Sequence, residues 1–374
     1  MKAKEKAGLP AIPKAGLPAG FGAGLAAIST ADKPARSMAG FTIIEILVAI
    51  ALGLIILASL FRTFKVQQDS YVTQDQISAM QQNLRAAMYL ITRDLQMAGY
   101  YTNFDGNNIT MDWNGDGTVD ASEQNRRPLI LARNNVTAAG DNIRDGTDEI
   151  VIVKASRGEG RLLTGGESAA GTSINVGWDL DGQSGDDLNT TGKMYGVLVK
   201  NDLSRAELFH LGGLGTLERP LNESYSAEVD DGDPSTPDRS DRVHRADIVI
   251  YRVDTSNPAR PCLVRRNLGN DNGFQTVAEN IENLQFRYLF KDGTTWTNDP
   301  KVDPSNKGYQ PKDVRAVEVL LIGRTAFPQR GYVDTSTYTF GTGPTAESYT
   351  PQGDERKYRR RVLTTLVKTR NIGL

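Results

Sequence analysis

Residues 39 to 61, AGFTIIEILVAIALGLIILASLF, form one apolar run broken by a single carboxylate, Glu45. No charge falls between Ile46 and Leu60, and the stretch from Phe41 has about the 20 residues that a helix needs to cross a bilayer. Past Phe64 the pattern changes without a helix breaker. Ile77, Met80, Leu84, Met88, Ile91, Leu95 and Ala98 recur at steps of three and four, which is one apolar stripe on a helix, with Gln, Arg, Asp and Asn on the other faces. No proline lies between Pro34 and Pro128, and Gly99 stands where a helix is commonly capped. The pattern predicts one continuous helix from Phe41 to Ala98, its first half in lipid and its second half packed on a body outside it.

Beyond Tyr100 the period shortens. Glu149–Val153, Ser173–Val176 and Tyr195–Lys200 are short β-branched runs set among Asn, Asp and Gly, and they read as strands. The stretch Asp230–Asp238 is a loop by composition. Four clearer strands follow, at Asp247–Val253, Ile281–Phe290, Val314–Ile322 and Arg359–Val367. The run from Val314 does not alternate cleanly between apolar and polar, as expected of a central strand. A long helix followed by antiparallel strands gives an α+β fold, the helix packed on an antiparallel β-sheet body.

Composition narrows the function classes. The 374 residues carry a net charge of −2, so no global basic field points to nucleic acid as a partner. Cys262 is the one cysteine, and no intramolecular disulfide can form. There is no G-x-S-x-G, no Walker A pattern and no C-x-x-C. The two histidines, His210 and His244, lack metal-like spacing, so the chain is expected not to be an enzyme. The basic tail of Arg356, Lys357, Arg359, Arg360, Arg361, Lys368 and Arg370 has acidic neighbours and a single aromatic, Tyr358, among its cations. It reads as the solvated edge of a strand rather than a DNA surface.

One motif stands out. Residues Asp112 to Glu123, DWNGDGTVDASE, fit D-x-[DN]-x-[DN]-G-x5-E at every defined position. Alternate oxygen side chains, a turn-making glycine at position six and a distal glutamate are what a 12-residue calcium loop requires. The expected ligands are the side chains of Asp112, Asn114, Asp116, Asp120 and Glu123 with the carbonyl of Thr118, and calcium is the expected cofactor. The flanks lack helical periodicity, so this would be an isolated loop on a β-rich body. A second acidic turn, Asp179–Asp187, lacks the register.

An acid inside a hydrocarbon span costs roughly 2.5 kcal/mol or more, so Glu45 needs a reason. Gly40-Phe41-Thr42-Ile43-Ile44-Glu45 followed by an apolar run resembles the class III leader junction of type IV pilins and type II secretion pseudopilins. The resemblance implies that a membrane peptidase cuts between Gly40 and Phe41 and methylates the new amino terminus. It also gives Glu45 an assembly role: one helical turn from Phe41, it can meet the terminal amine of a neighbouring subunit, which offsets its desolvation.

A second resemblance covers the later strands. Ile248–Arg252, Cys262–Arg266, Val277–Tyr288, Val314–Leu321 and Tyr358–Asn371, in that order, look like the PilW family of minor pilins. Together the two resemblances imply a minor pilin that helps prime or cap a type IV pilus. Its partners would be other minor and major pilins, the prepilin peptidase and the inner membrane. The alternatives are a J-like pseudopilin of a type II secretion system, or a membrane-tethered adhesive or periplasmic module. The expected organisation is a removed leader over 1–40, a transmembrane helix half over 41–64 and an amphipathic half over 65–99. A loop-rich β insertion with the calcium-type loop then covers 100–245, and a β-sheet region covers 246–374. The precursor would sit in the inner membrane with its body in the periplasm, and the mature protein in the pilus or at the cell surface.

Overall fold

The computed structural model describes residues 40–100, 130–137, 142–155, 161–162, 174, 194–201, 206–213, 216–217, 221, 224–226, 241–268, 273–300 and 313–372. The leader before Gly40, the calcium-type loop at 112–123, the expected strand at 173–176 apart from Ile174, and the acidic stretches 179–187 and 230–238 lie outside the described residues.

The chain divides into two compact units, Met1–Lys65 and Val66–Leu374. One helix of 55 residues, Ile43–Met97, contributes to both and matches the expected helix to within two residues at each end. In the first unit every side chain from 41 to 65 is exposed, including Ile43, Leu47, Leu54, Ile55 and Phe61. A helix this long and apolar meets the requirement for crossing a membrane. Its hydroxyls return to the helix's own carbonyls, Ser59 to Ile56 at 2.7 Å and Thr63 to Ser59 at 3.0 Å. Neither hydroxyl depends on a partner outside the helix.

In the second unit the same helix buries one face. Met80, Leu84, Ala87, Met88, Ile91 and Leu95 are buried, continued by Ala98, and Ile77 packs against them. This is the stripe that the three-and-four spacing predicts. The facing layer consists of antiparallel strands. They are β1 (Ile130–Val136), β2 (Thr147–Ala155), β3 (Arg161–Leu162), β4 (Met194–Val199), β5 (Ala206–Gly213), β6 (Thr216–Leu217), β7 (Arg242–Asp254), β8 (Cys262–Asn267) and β9 (Gln275–Glu279), then β10 (Ile281–Phe290), β11 (Trp296–Thr297), β12 (Val314–Arg324), β13 (Tyr338–Phe340), β14 (Glu347–Tyr349) and β15 (Arg360–Lys368). The fold is α+β.

Strands β1 to β9 form one sheet whose hub is the 13-residue β7, paired with β2, β3, β4 and β8. The expected boundary at residue 245 falls inside β7. A second sheet has the order β11-β10-β12-β15. Here β12 is central, as its lack of clean apolar–polar alternation predicts, and among the described residues β15 is an edge. Leu284, Phe286 and Tyr288 of β10 and Val317, Val319 and Leu321 of β12 share one core with the helix stripe and with Ile150, Ile152, Tyr251 and Val253 of the larger sheet. The opposite face of the smaller sheet, with Leu320 and Ile322, is covered by the β13–β14 hairpin through Phe340, Tyr338 and Tyr349.

Two glycines let backbones approach. A Cβ on Gly323 of β12 would lie 2.9 Å from Leu84 Cγ, so the glycine sets how closely the helix sits on the sheet. Gly99 ends the helix at φ +76, in the left-handed region that a C-terminal cap needs. Its N–H donates to Val153 O at 2.9 Å, and Ala155 N–H donates to Tyr100 O at 2.9 Å, stitching the helix end to β2. Gly99→Ala should therefore cost about 1–3 kcal/mol, from strain at positive φ and from a Cβ placed 2.6 Å from Ile372 Cγ1. Urea unfolding of the full chain in detergent checks this: the midpoint should fall with the slope unchanged, whereas an unmoved midpoint would mean that the cap carries no stability.

Candidate functional site

The start of the helix is built by four residues. Thr42 precedes the first helical residue, and its Oγ1 accepts from Glu45 N–H at 3.3 Å. Glu45 Oε2 in return accepts from Thr42 N–H at 3.0 Å and from the Thr42 hydroxyl at 2.9 Å. This is a capping box of the T-x-x-E type, which satisfies two otherwise unbonded donors at the helix start. The spacing Thr42-Ile-Ile-Glu45 is a direct sequence signal for it, one hidden by the cost of an acid in an apolar run, which draws attention to a role between subunits. Glu45 Oε1 takes no part in the box. Gly40 has open space around it: a Cβ there would meet nothing within 4 Å. Its lack of a side chain serves no contact in the described residues. Phe41 is 83% exposed.

Further along the helix an acid sits on the buried stripe. Asp94 lies three residues after Ile91 and seven after Ala87, so it shares their face. It accepts from Lys154 Nζ of β2 at 2.6 Å, from the Tyr251 hydroxyl of β7 at 2.7 Å and from Arg265 Nε of β8 at 3.0 Å. Burial alone pushes its carboxyl up. Lys154, Tyr251 and Arg265 outweigh that and hold it below the usual carboxylate range, while the Tyr251 hydroxyl is pushed upward by burial and by Asp94. The stability that this depression contributes is complete above the ordinary carboxylate value and is lost as the pH falls through the lowered one. Sequence reasoning groups Asp94 with the solvated faces, although its position in the three-and-four pattern marks it.

A second buried cluster closes one end of the smaller sheet. Glu282 has no exposure and lies among Arg360 (3.0 Å), Arg324 (3.3 Å) and Arg144 (3.7 Å). Arg324 and Arg360 are direct cross-strand partners between β12 and β15, a like-charge pair that Glu282 neutralises. Asp334 accepts from Arg360 at 3.1 Å and from the Tyr338 hydroxyl at 2.8 Å, and Glu355 accepts from Arg144 at 2.6 Å. Three guanidinium groups thus meet three carboxylates, and the tyrosines tie the β13–β14 hairpin into the same cluster. Arg360 departs from the expected solvated tail. Lys357, Arg361, Lys368 and Arg370 do lie exposed.

Between the two sheets, Asp148 of β2 accepts from Asn135 N–H at 3.0 Å and from Phe286 N–H of β10 at 2.7 Å. Burial pushes its carboxyl up to about 8 against those two donors. A cleft of about 170 Å³ lies nearby, between β10, β12 and the hairpin, lined among others by Asn283, Gln285, Ile322 and Tyr349. The histidines do not meet. His210 stacks on Tyr195 across β5 and β4 with ring centroids 4.3 Å apart, and β4 separates β5 from β7, which carries His244. Burial, then Arg242, pushes His244 down to about 4, so it is neutral at physiological pH. Among the described residues no three His, Cys, Asp or Glu side chains gather as metal ligands, and the calcium-type loop is not among those residues.

Residues 250–371 match the family model of the Type IV Pilus-assembly protein W. The match runs from the second half of β7 to the last described residues and so includes β8 to β15, Arg265 of the Asp94 cluster, and Glu282, Arg324 and Arg360. No curated protein and no solved structure matches the chain significantly. The matched part is roughly a third of the 374 residues, and it supports a role related to type IV pilus assembly.

Proposed function

We propose that this chain is a minor pilin of a type IV pilus, one that helps prime or cap the fibre and has no catalytic chemistry of its own. The observation that carries this reading is a conjunction. One uninterrupted helix exposes apolar side chains over residues 43–65 and buries a stripe from Met80 onward, and the strands after residue 250 match a pilus-assembly family. The precursor is held in the inner membrane with its body in the periplasm. A prepilin peptidase cuts between Gly40 and Phe41 and methylates the Phe41 amine, and the mature chain joins other minor and major pilins at the pilus or cell surface. The open space at Gly40 supports assigning that glycine to the peptidase rather than to the fold. Glu45 caps its own helix with Oε2 and keeps Oε1 for the amine of a neighbouring subunit. Mass spectrometry of the mature protein should find a methylated Phe41 at the amino terminus. Gly40→Ala should leave the precursor uncut while its body unfolds at the wild-type midpoint. A chain that keeps its leader in assembled pili, or a Gly40→Ala chain cut as usual, would overturn the reading.

The loop from Asp112 to Glu123 carries a second part of the proposal. It binds calcium through Asp112, Asn114, Asp116, Asp120, Glu123 and the carbonyl of Thr118, and so orders the segment after the helix. Outside the cell, where calcium is abundant, a site with a dissociation constant near ~10⁻⁴ M is filled. At 1 mM calcium such a site adds about 1.4 kcal/mol by mass action. Calorimetric titration of the full chain in detergent should show binding heat that Asp116→Ala removes, and an unfolding midpoint that chelator lowers. No heat at millimolar calcium would return the loop to an ordinary acidic turn.

A further inference from the structure

Among the described residues strand β15 is the free edge of the smaller sheet, and the hydrogen bonds at its two ends fix which of its groups point outward. Thr369 N–H donates to Arg315 O at 3.1 Å, and Thr325 N–H donates to Arg359 O at 2.9 Å. In an antiparallel ladder the residues that bond the neighbour alternate. Odd-numbered residues from 359 to 369 therefore face β12. The N–H and C=O groups of Val362, Thr364, Leu366 and Lys368 face away from it. That leaves four consecutive donor–acceptor positions open along a nine-residue strand. Their side chains lie on one face, where Val362 is 41% and Leu366 51% exposed. The exposed cations Arg361 and Arg370 stand beside this run and Lys368 ends it, and among the described residues no acidic group lies within ion-pair distance of any of the three.

We propose that β15 is a docking edge that takes up an extended strand from another polypeptide, with apolar residues alternating along it and acidic residues at its ends. The backbone supplies the binding groups, since an added strand would complete the ladder at Val362, Thr364, Leu366 and Lys368. Its side chains on that face would cover Val362 and Leu366. Charge chooses the occupant. A second copy of β15 laid antiparallel pairs outward, even-numbered residues with one another, which sets Lys368 or Arg370 opposite Arg360, a like-charge contact. Cations on an edge strand keep identical edges apart, and the same cations attract an acidic strand. This inference does not depend on the pilus reading.

The test uses the full chain in detergent micelles with fluorescein-labelled peptides. EVTVTVTVE is the probe, and KVTVTVTVK, with the same backbone pattern and reversed charge, is the control. The acidic peptide should bind in anisotropy titrations at least ten-fold more tightly than the basic one. Bound peptide should slow amide exchange at 362, 364, 366 and 368 and leave 361, 363 and 365 unchanged. Thr364→Pro removes an N–H that serves no internal bond, at a position where edge strands tolerate proline, and should weaken binding at least ten-fold. Arg361→Glu combined with Lys368→Glu alters exposed side chains only. It should reverse the preference between the two peptides and so gives a reading even if the proline variant does not fold. Equal binding of both peptides, a folded Thr364→Pro chain that binds as the wild type does, or a wild-type chain that dimerises through β15 would each overturn the proposal.

Discussion

The Asp94 carboxylate, enclosed on the apolar stripe of the helix, is the constraint on which the body depends. Its three donors come from β2, β7 and β8, so one side chain fixes the helix against three strands of the larger sheet. Apolar contacts alone would allow the stripe to slide by a turn at modest cost, since Met80, Leu84, Met88 and Leu95 are similar in size. A buried charge has no such freedom, because a shifted register leaves Lys154 and Arg265 without their acid. The close approach of Gly323 to Leu84 and the stitching of Gly99 and Tyr100 to β2 then hold the position that Asp94 selects.

One helix serves two surroundings. Its first residues present apolar side chains outward and return their few hydroxyls to the backbone, while residues from Met80 on exchange water for a protein core. The absence of proline between Pro34 and Pro128 permits this continuity. The Glu282 cluster plays for the smaller sheet the part that Asp94 plays for the larger one. It neutralises the Arg324–Arg360 pair across β12 and β15 and holds the hairpin through Tyr338 and Tyr349. A match to a pilus-assembly family over 250–371 thus covers a sheet that holds buried ion pairs as well as apolar packing.

Periodicity made the helix and the main strands legible in the sequence. Every stripe residue from Ile77 to Ala98 packs on the body, and β10 has the bounds that its sequence run predicts. What periodicity concealed were the polar members of buried faces. Asp94, Glu282 and Arg360 are charged, and charge ordinarily marks solvent; Asp94 is marked by its place on the stripe, while Glu282 and Arg360 are revealed only by their partners. Those partners lie far along the chain: Arg265 is 171 residues from Asp94, and Arg360 is 78 from Glu282. The capping box was legible in Thr42 and Glu45 and is local. The pairing of β7 with four other strands was not, because nothing in a strand's own residues names its neighbours.

Native-state hydrogen exchange on Asp94→Asn tests the central claim most directly. The substitution keeps the shape of the side chain and removes its charge. The helix amides from Leu84 to Met97 should lose about 2–3 kcal/mol of protection, at or just below the usual range for breaking a buried pair, because Lys154 and Arg265 keep some contact with water. The β10 and β12 amides should lose less. Protection in the helix equal to that of the wild type would mean that the apolar stripe alone fastens the helix, and that Asp94 is not what fixes its place.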